Sequence, residues 1–101
     1  MNKVMHWVVP VDHPAFAGHF PGTPILPGVV LLDVTLHAIT EAAGIEPGSC
    51  EIGSVKFLSP AKPGDQLEIR YDSPPGGTIR FDIVADTRKI ASGNIVLRSG
   101  A

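Results

Sequence analysis

The chain holds one stretch that can form a long helix, and the rest of it must be arranged around that helix. From Val29 to about Ala43 no proline or glycine interrupts the sequence; Pro27 and Gly28 stand before it, and Gly44 follows as a C′ glycine. Roughly 15 residues at 1.5 Å each make a helix of about 22 Å. Its apolar residues (Val29, Val30, Leu31, Leu32, Val34, Leu36, Ile39, Ala42, Ala43) go most of the way round, which predicts a buried central helix. Asp33, Thr35, His37, Thr40 and Glu41 are its polar residues.

What surrounds the helix reads as β. Residues 3–9 are rich in β-branched and aromatic side chains and stop at Pro10; Glu51 to Leu58 runs up to Ser59-Pro60. Gln66 to Tyr71 alternates strictly, with Leu67, Ile69 and Tyr71 on one face. A Ser73-Pro74-Pro75-Gly76-Gly77 turn leads into a second alternating run, Thr78 to Ile83, and a last strand spans about Ile90 to Arg98. One helix and about five strands, four of them a consecutive antiparallel series, imply an α+β fold with a sheet curled around the helix. At 101 residues the chain is expected to be one domain, 1–101, with a core modest enough that a partner subunit would help to bury it.

Composition narrows the function. A net charge of −2 with 18% charged residues gives no concentrated basic excess for nucleic acid. The longest apolar stretch, Ile25 to Leu36, is broken by Pro27, Gly28 and Asp33, and falls short of the ~20 residues that cross a bilayer. The start of the chain has no signal-peptide h-region, so a cytoplasmic protein is expected. A single cysteine, Cys50, excludes an internal disulfide or a cysteine-based zinc cage and reads as a packing residue. Four histidines occur without ligand spacing, so no metal is expected. Of these, His6 reads as the polar face of a strand and His13 as part of a turn before Pro14.

Three positions can carry chemistry. Asp33, flanked by Leu31, Leu32, Val34 and Leu36, would be kept protonated by burial and so serve as a general acid; alternatively it lies on a solvated stripe with His37 and Thr40 and pairs locally. His19 sits in a loop stiffened by Pro21, Pro24 and Pro27, and its ordinary pKa suits proton abstraction near neutrality, or it is a loop histidine bonded to backbone. Gly28 opens the helix, where free N–H groups can polarise a carbonyl oxygen and a glycine permits close approach; the plainer reading is a Pro-Gly helix entry.

The run Gly18-His19-Phe20-Pro21-Gly22-Thr23-Pro24-Ile25-Leu26-Pro27-Gly28-Val29-Val30-Leu31-Leu32-Asp33 resembles the active-site segment of the hot-dog-fold 3-hydroxyacyl-acyl-carrier-protein dehydratases, the FabA/FabZ-like family. Val55-Lys56-Phe57 and Ser59-Pro60-Ala61-Lys62-Pro63-Gly64-Asp65-Gln66-Leu67 continue the likeness, which extends from about Val4 to Leu97. The resemblance implies a homodimer with active sites at the subunit interface. In it His19 of one subunit is the base on the α-carbon, Asp33 of the other is the acid on the β-hydroxyl, and the Gly28 amide holds the thioester oxygen. It implies no cofactor, a substrate borne on the phosphopantetheine of acyl carrier protein, and trans-2-enoyl thioester as product.

The chain departs from the pattern in two places. One branch of the family has Glu where this chain has Asp33, and the unsaturated-fatty-acid branch has Asp. His37 stands where both usually have Gln; one turn from Asp33, it could orient that carboxylate or compete by ionising it. The shortness of the chain and its Val11-to-His19 run look more like the compact dehydratases of aryl-polyene or specialised-lipid pathways, the ordinary leading segment being absent. A hot-dog thioesterase and a non-catalytic acyl-carrier-binding module are the alternatives. Lys56, Lys62, Arg70, Arg88 and Lys89 read either as a patch for an acidic carrier or as scattered solvated charges.

Overall fold

The computed structural model describes residues 3–11, 26–72 and 77–97. In chain order they form β1 (Lys3–Val8), α1 (Gly28–Ala43), a short 3-10 turn (Pro47–Ser49), β2 (Cys50–Phe57), β3 (Gln66–Asp72), β4 (Thr78–Ala85) and β5 (Arg88–Leu97). The helix begins where the proline forbids it to begin earlier. Pro27, at φ −58 and ψ 143, is not helical, yet its carbonyl oxygen accepts from the N–H groups of Val30 (3.1 Å) and Leu31 (3.2 Å). The end matches the expected glycine cap: Gly44 is left-handed at φ 70, Ile45 N–H donates to Thr40 O (2.9 Å) and Gly44 N–H to Glu41 O (3.3 Å).

The strands form one antiparallel sheet in the order β1-β3-β4-β5-β2. The expected series of four consecutive antiparallel strands is therefore corrected to three, β3 to β5. Instead of pairing with β3, β2 lies at the far edge against β5. The cause is the segment 58–65, which carries Pro60, Pro63 and Gly64 and is too long for a tight hairpin. Its first two N–H groups, on Leu58 (2.8 Å) and Ser59 (3.2 Å), both donate to Ile90 O of β5 and hold the chain at that edge.

Alternation places the core as expected. Leu67, Ile69 and Tyr71 of β3 and Ile79, Phe81 and Ile83 of β4 are buried, packed with Ile90 and Ile95 of β5 beneath Leu31 and Ile39 of α1. Thr35 and Thr40 are also buried; their hydroxyls donate to the carbonyl oxygens of Leu31 and Leu36, each at 2.8 Å, so neither leaves a polar atom unsatisfied. The helix is not buried all round. Its sheet-facing stripe is Leu31, Thr35 and Ile39, whereas Val29 at the start is 75% exposed and Val30, Leu32 and Leu36 are only partly covered. Val30, Leu32 and Leu36 rest partly against the core and keep part of their surface open.

A bulge in β2 decides what faces the helix start. Ile52 pairs with Ile95, but Val55 pairs with Gly93, so β2 carries one extra residue between them. Because side chains alternate, one extra residue exchanges the faces: Cys50 and Ile52 lie on the inner face before the bulge and Val55 after it, while Phe57, two residues on, stays exposed with its ring against Gly28. Asn94 clamps the irregular segment, accepting from Ser54 N–H at 3.2 Å and donating to Ser54 Oγ at 3.2 Å. Opposite it, Gly93 leaves no room for a side chain, since a Cβ there would lie 2.5 Å from Ser54 O.

Candidate active site

The start of α1 forms one wall of an apolar cleft of about 460 Å³. Leu26, Gly28 and Leu31 line one side; Phe57, Leu58, Ser59, Pro60 and Ala61 line the other. The two sides are tied by backbone, because Leu26 N–H donates to Ala61 O at 2.7 Å. Asp65 stiffens the second wall. Its carboxylate accepts from Lys62 N–H (2.8 Å) and from the Arg88 guanidinium (2.8 Å), and its carbonyl oxygen takes Val9 N–H (2.9 Å). Gly64, at φ 84, supplies the left-handed turn between Lys62 and Asp65 and donates its N–H to Val9 O (2.8 Å).

Gly28 thus lies where a small molecule in the cleft would reach it. The space over its α-carbon is not open, however. A Cβ on Gly28 would meet the Phe57 ring at 2.8 Å, 3.1 Å and 3.3 Å, so the close approach that glycine permits is taken up by that aromatic ring. Neither periodicity nor composition singles out Phe57 as a site residue. The available signal was Gly53-Ser54 inside a strand, which marks a bulge and hence a change of face.

Asp33 is placed differently from the expectation of apolar burial. At about 100° per residue it sits some 200° round the helix from Leu31, on the side away from the sheet, and its side chain is 71% exposed. The expected partnership with His37 is present. His37 Nδ1 lies 2.9 Å from the Asp33 carbonyl oxygen, which fixes it as a donor, and 3.4 Å from Asp33 Oδ1. Thr40, on the same side of the helix as Asp33 at i+7, is nonetheless buried, its hydroxyl donating to Leu36 O at 2.8 Å. His19 and His13 lie outside the described residues, so Asp33, His37 and Gly28 are the described members of the predicted constellation.

The other expectations sort simply. His6 is on the exposed face of β1, with Nε2 3.5 Å from Glu68 Oε1, and Cys50 is buried. Arg70 bonds Glu68, Arg88 bonds Asp65, and Lys89 lies 3.4 Å from Asp82, so three of the five basic residues are paired with acids of their own chain. The Arg70 guanidinium holds the Glu68 carboxyl below the usual carboxylate range, with a smaller contribution from His6. No helix among the described residues is long and apolar enough to cross a membrane.

A helix packed on a five-stranded antiparallel sheet, with a cleft at the helix start, is the hot-dog architecture. Residues 2–94 match the family model described as ApeI-like, ApeI dehydratase, and the chain belongs to that family. Its sequence is 39% identical over 92 residues to the 3-hydroxyacyl-[acyl-carrier-protein] dehydratase FabZ of Klebsiella pneumoniae, a match covering 76% of this chain and 58% of that protein. The chain thus spans somewhat over half the length of the curated relatives it matches. Among solved structures, the dehydratase heterocomplex ApeI:P from Xenorhabdus doucetiae superposes with a TM-score of 0.78 at 25% identity, over 96% of this chain and 87% of that one. The fluoroacetyl-CoA thioesterase FlK shares the fold alone, with a TM-score of 0.64 at 18% identity over 94% and 82% of the two chains.

Proposed function

We propose that the protein dehydrates (3R)-3-hydroxyacyl thioesters of acyl carrier protein to trans-2-enoyl thioesters, in fatty acid or related lipid and polyene biosynthesis. The observation that carries this reading is the pairing of an apolar cleft at Gly28 with a carboxylate, Asp33, displayed on the outer side of the same helix. A single chain leaves that carboxylate in solvent. In the proposed homodimer a second copy laid over the exposed side of α1 would enclose it, each of the two sites using Asp33 of one subunit and His19 of the other. The apolar Val29, Leu32 and Leu36 on or beside that side would be buried in the same step.

In the proposed reaction His19 removes the α-proton and Asp33 protonates the β-hydroxyl. The C–O bond breaks, the α,β double bond forms and water leaves. The Gly28 N–H, at the positive end of α1, donates to the thioester oxygen and stabilises the charge that grows there. Protons and electrons balance without a redox group or metal, so the reading includes no cofactor. His37, held one turn from Asp33, is proposed to orient the carboxylate. The reading retains the expectation of a cytoplasmic enzyme that receives its substrate from acyl carrier protein.

The experiment follows enoyl thioester absorbance with wild type, His19→Ala and Asp33→Asn. Loss of either group is expected to lower the rate by about 10²–10⁴-fold. Unchanged rates in both variants would exclude these roles, and release of free thiol in place of enoyl product would assign hydrolysis instead.

A further inference from the structure

We propose that Phe57 determines which acyl groups the cleft admits, because its ring covers the start of α1 at Gly28 and must give way before a thioester can lie there. The inference rests on the dehydratase reading for the nature of the ligand and on separate geometry for the residue. The ring stands 2.8 Å from where a Gly28 Cβ would be, yet Phe57 remains 52% exposed. An aromatic side chain this exposed is not held by the core, and exposed rings change rotamer on the picosecond-to-nanosecond scale.

The frame around the ring, in contrast, is fixed. The bulge at Gly53-Ser54 aims residue 57 at the helix, Asn94 locks the bulge, and Ile90 O anchors the two residues that follow. These bonds hold β2 to β5, and Leu26 N–H to Ala61 O ties the helix entry to the opposite wall, so the side chain at position 57 is the part of the frame with most freedom to yield. The cleft volume of 460 Å³ lies at the lower end of the ~300–1,000 Å³ typical of small-molecule sites, so removing a phenyl ring changes its capacity appreciably. Leu31 and Leu58 line the same cleft, but the ring is the group seated on the glycine.

The test uses the full chain as wild type, Phe57→Ala, Phe57→Leu and Phe57→Tyr. Rates are measured on carrier-bound 3-hydroxyacyl thioesters of short chain, long chain and aryl type. The ratio of kcat/KM for the bulkiest to the shortest substrate is expected to rise about 10- to 100-fold in Phe57→Ala, mostly through KM, and less in Phe57→Leu. Phe57→Tyr keeps the ring and should keep the wild-type ratio, whatever its absolute rate. Calorimetric binding of non-reactive acyl-pantetheine amides of the same lengths gives a second readout that needs no turnover. If wild type is active and both small variants leave the ratio and the binding preference within about twofold, the role of Phe57 is refuted and the dehydratase reading stands. If wild type turns over none of the substrates but Phe57→Ala shifts the binding preference, the dehydratase reading fails and the role of Phe57 stands.

Discussion

Replacing Gly93 with alanine should strike the bulge that aims β2 at the helix. The added Cβ would lie 2.5 Å from Ser54 O, 2.9 Å from Val55 Cγ2 and 3.0 Å from Phe81 Cζ. The first of these is backbone and the last belongs to a fully buried ring, so neither can swing aside. Overpacking of this kind costs about 1–3 kcal/mol, and a backbone clash belongs in the upper half of that range. The smaller entropy of the unfolded alanine chain returns about 0.4–1 kcal/mol, leaving a net loss near 2 kcal/mol. For a domain of this size that lowers the melting temperature by about 8–16 °C. Gly48→Ala is the internal control, because nothing lies within 4 Å of its added Cβ and its φ is not positive. Thermal unfolding followed by far-UV circular dichroism, at one protein concentration for all variants, measures both. A melting point for Gly93→Ala within about 2 °C of wild type, or an equal fall in Gly48→Ala, would refute the claim that the bulge leaves no room.

Two further outcomes follow from the charged groups. Arg88→Ala removes one donor from Asp65, and with side chains 42% and 22% exposed the screened pair should cost about 0.5–1 kcal/mol. Asp65→Ala also deprives Lys62 N–H of its acceptor and should cost more; urea unfolding that ranks the two variants in the opposite order would contradict the clamp. The Glu68 carboxyl is held low by Arg70, so its contribution is present above the unfolded carboxylate pKa of about 4.3 and is lost as pH falls through the lower folded value. The stability gap between wild type and Arg70→Ala should therefore narrow on acidification from about pH 6 to pH 3, and it should shrink in high salt because the pair is exposed; a gap independent of pH would refute the linkage.

Much of the fold is legible in local pattern. The Pro27-Gly28 entry and the Gly44 exit bracket α1, because a proline cannot continue a helix backward and a left-handed residue ends one forward. The period-two alternation of Leu67, Ile69 and Tyr71 places β3 correctly, since that spacing puts three apolar groups on one pleated face. At Asp33 the sequence left burial and a solvated pairing with His37 both open, and the structure takes the second. Apolar neighbours in sequence suggested apolar surroundings, but neighbours at i±1 and i±2 on a helix point elsewhere, and the carboxylate emerges on the side its own sheet does not cover.

The sequence by itself determined one helix of known ends, the alternating strands and a motif from Gly18 to Asp33 that carries the family, because each of these is written in bonds and spacings within a few residues. Tertiary structure alone decided that β2 crosses to β5, that its extra residue exchanges faces, and that Phe57 therefore closes over Gly28. Those outcomes depend on contacts such as Ser54 with Asn94 and Leu58 with Ile90, which lie 40 and 32 residues apart in the chain. Pairing at that distance is settled by which strands can share hydrogen bonds, and no local spacing records it.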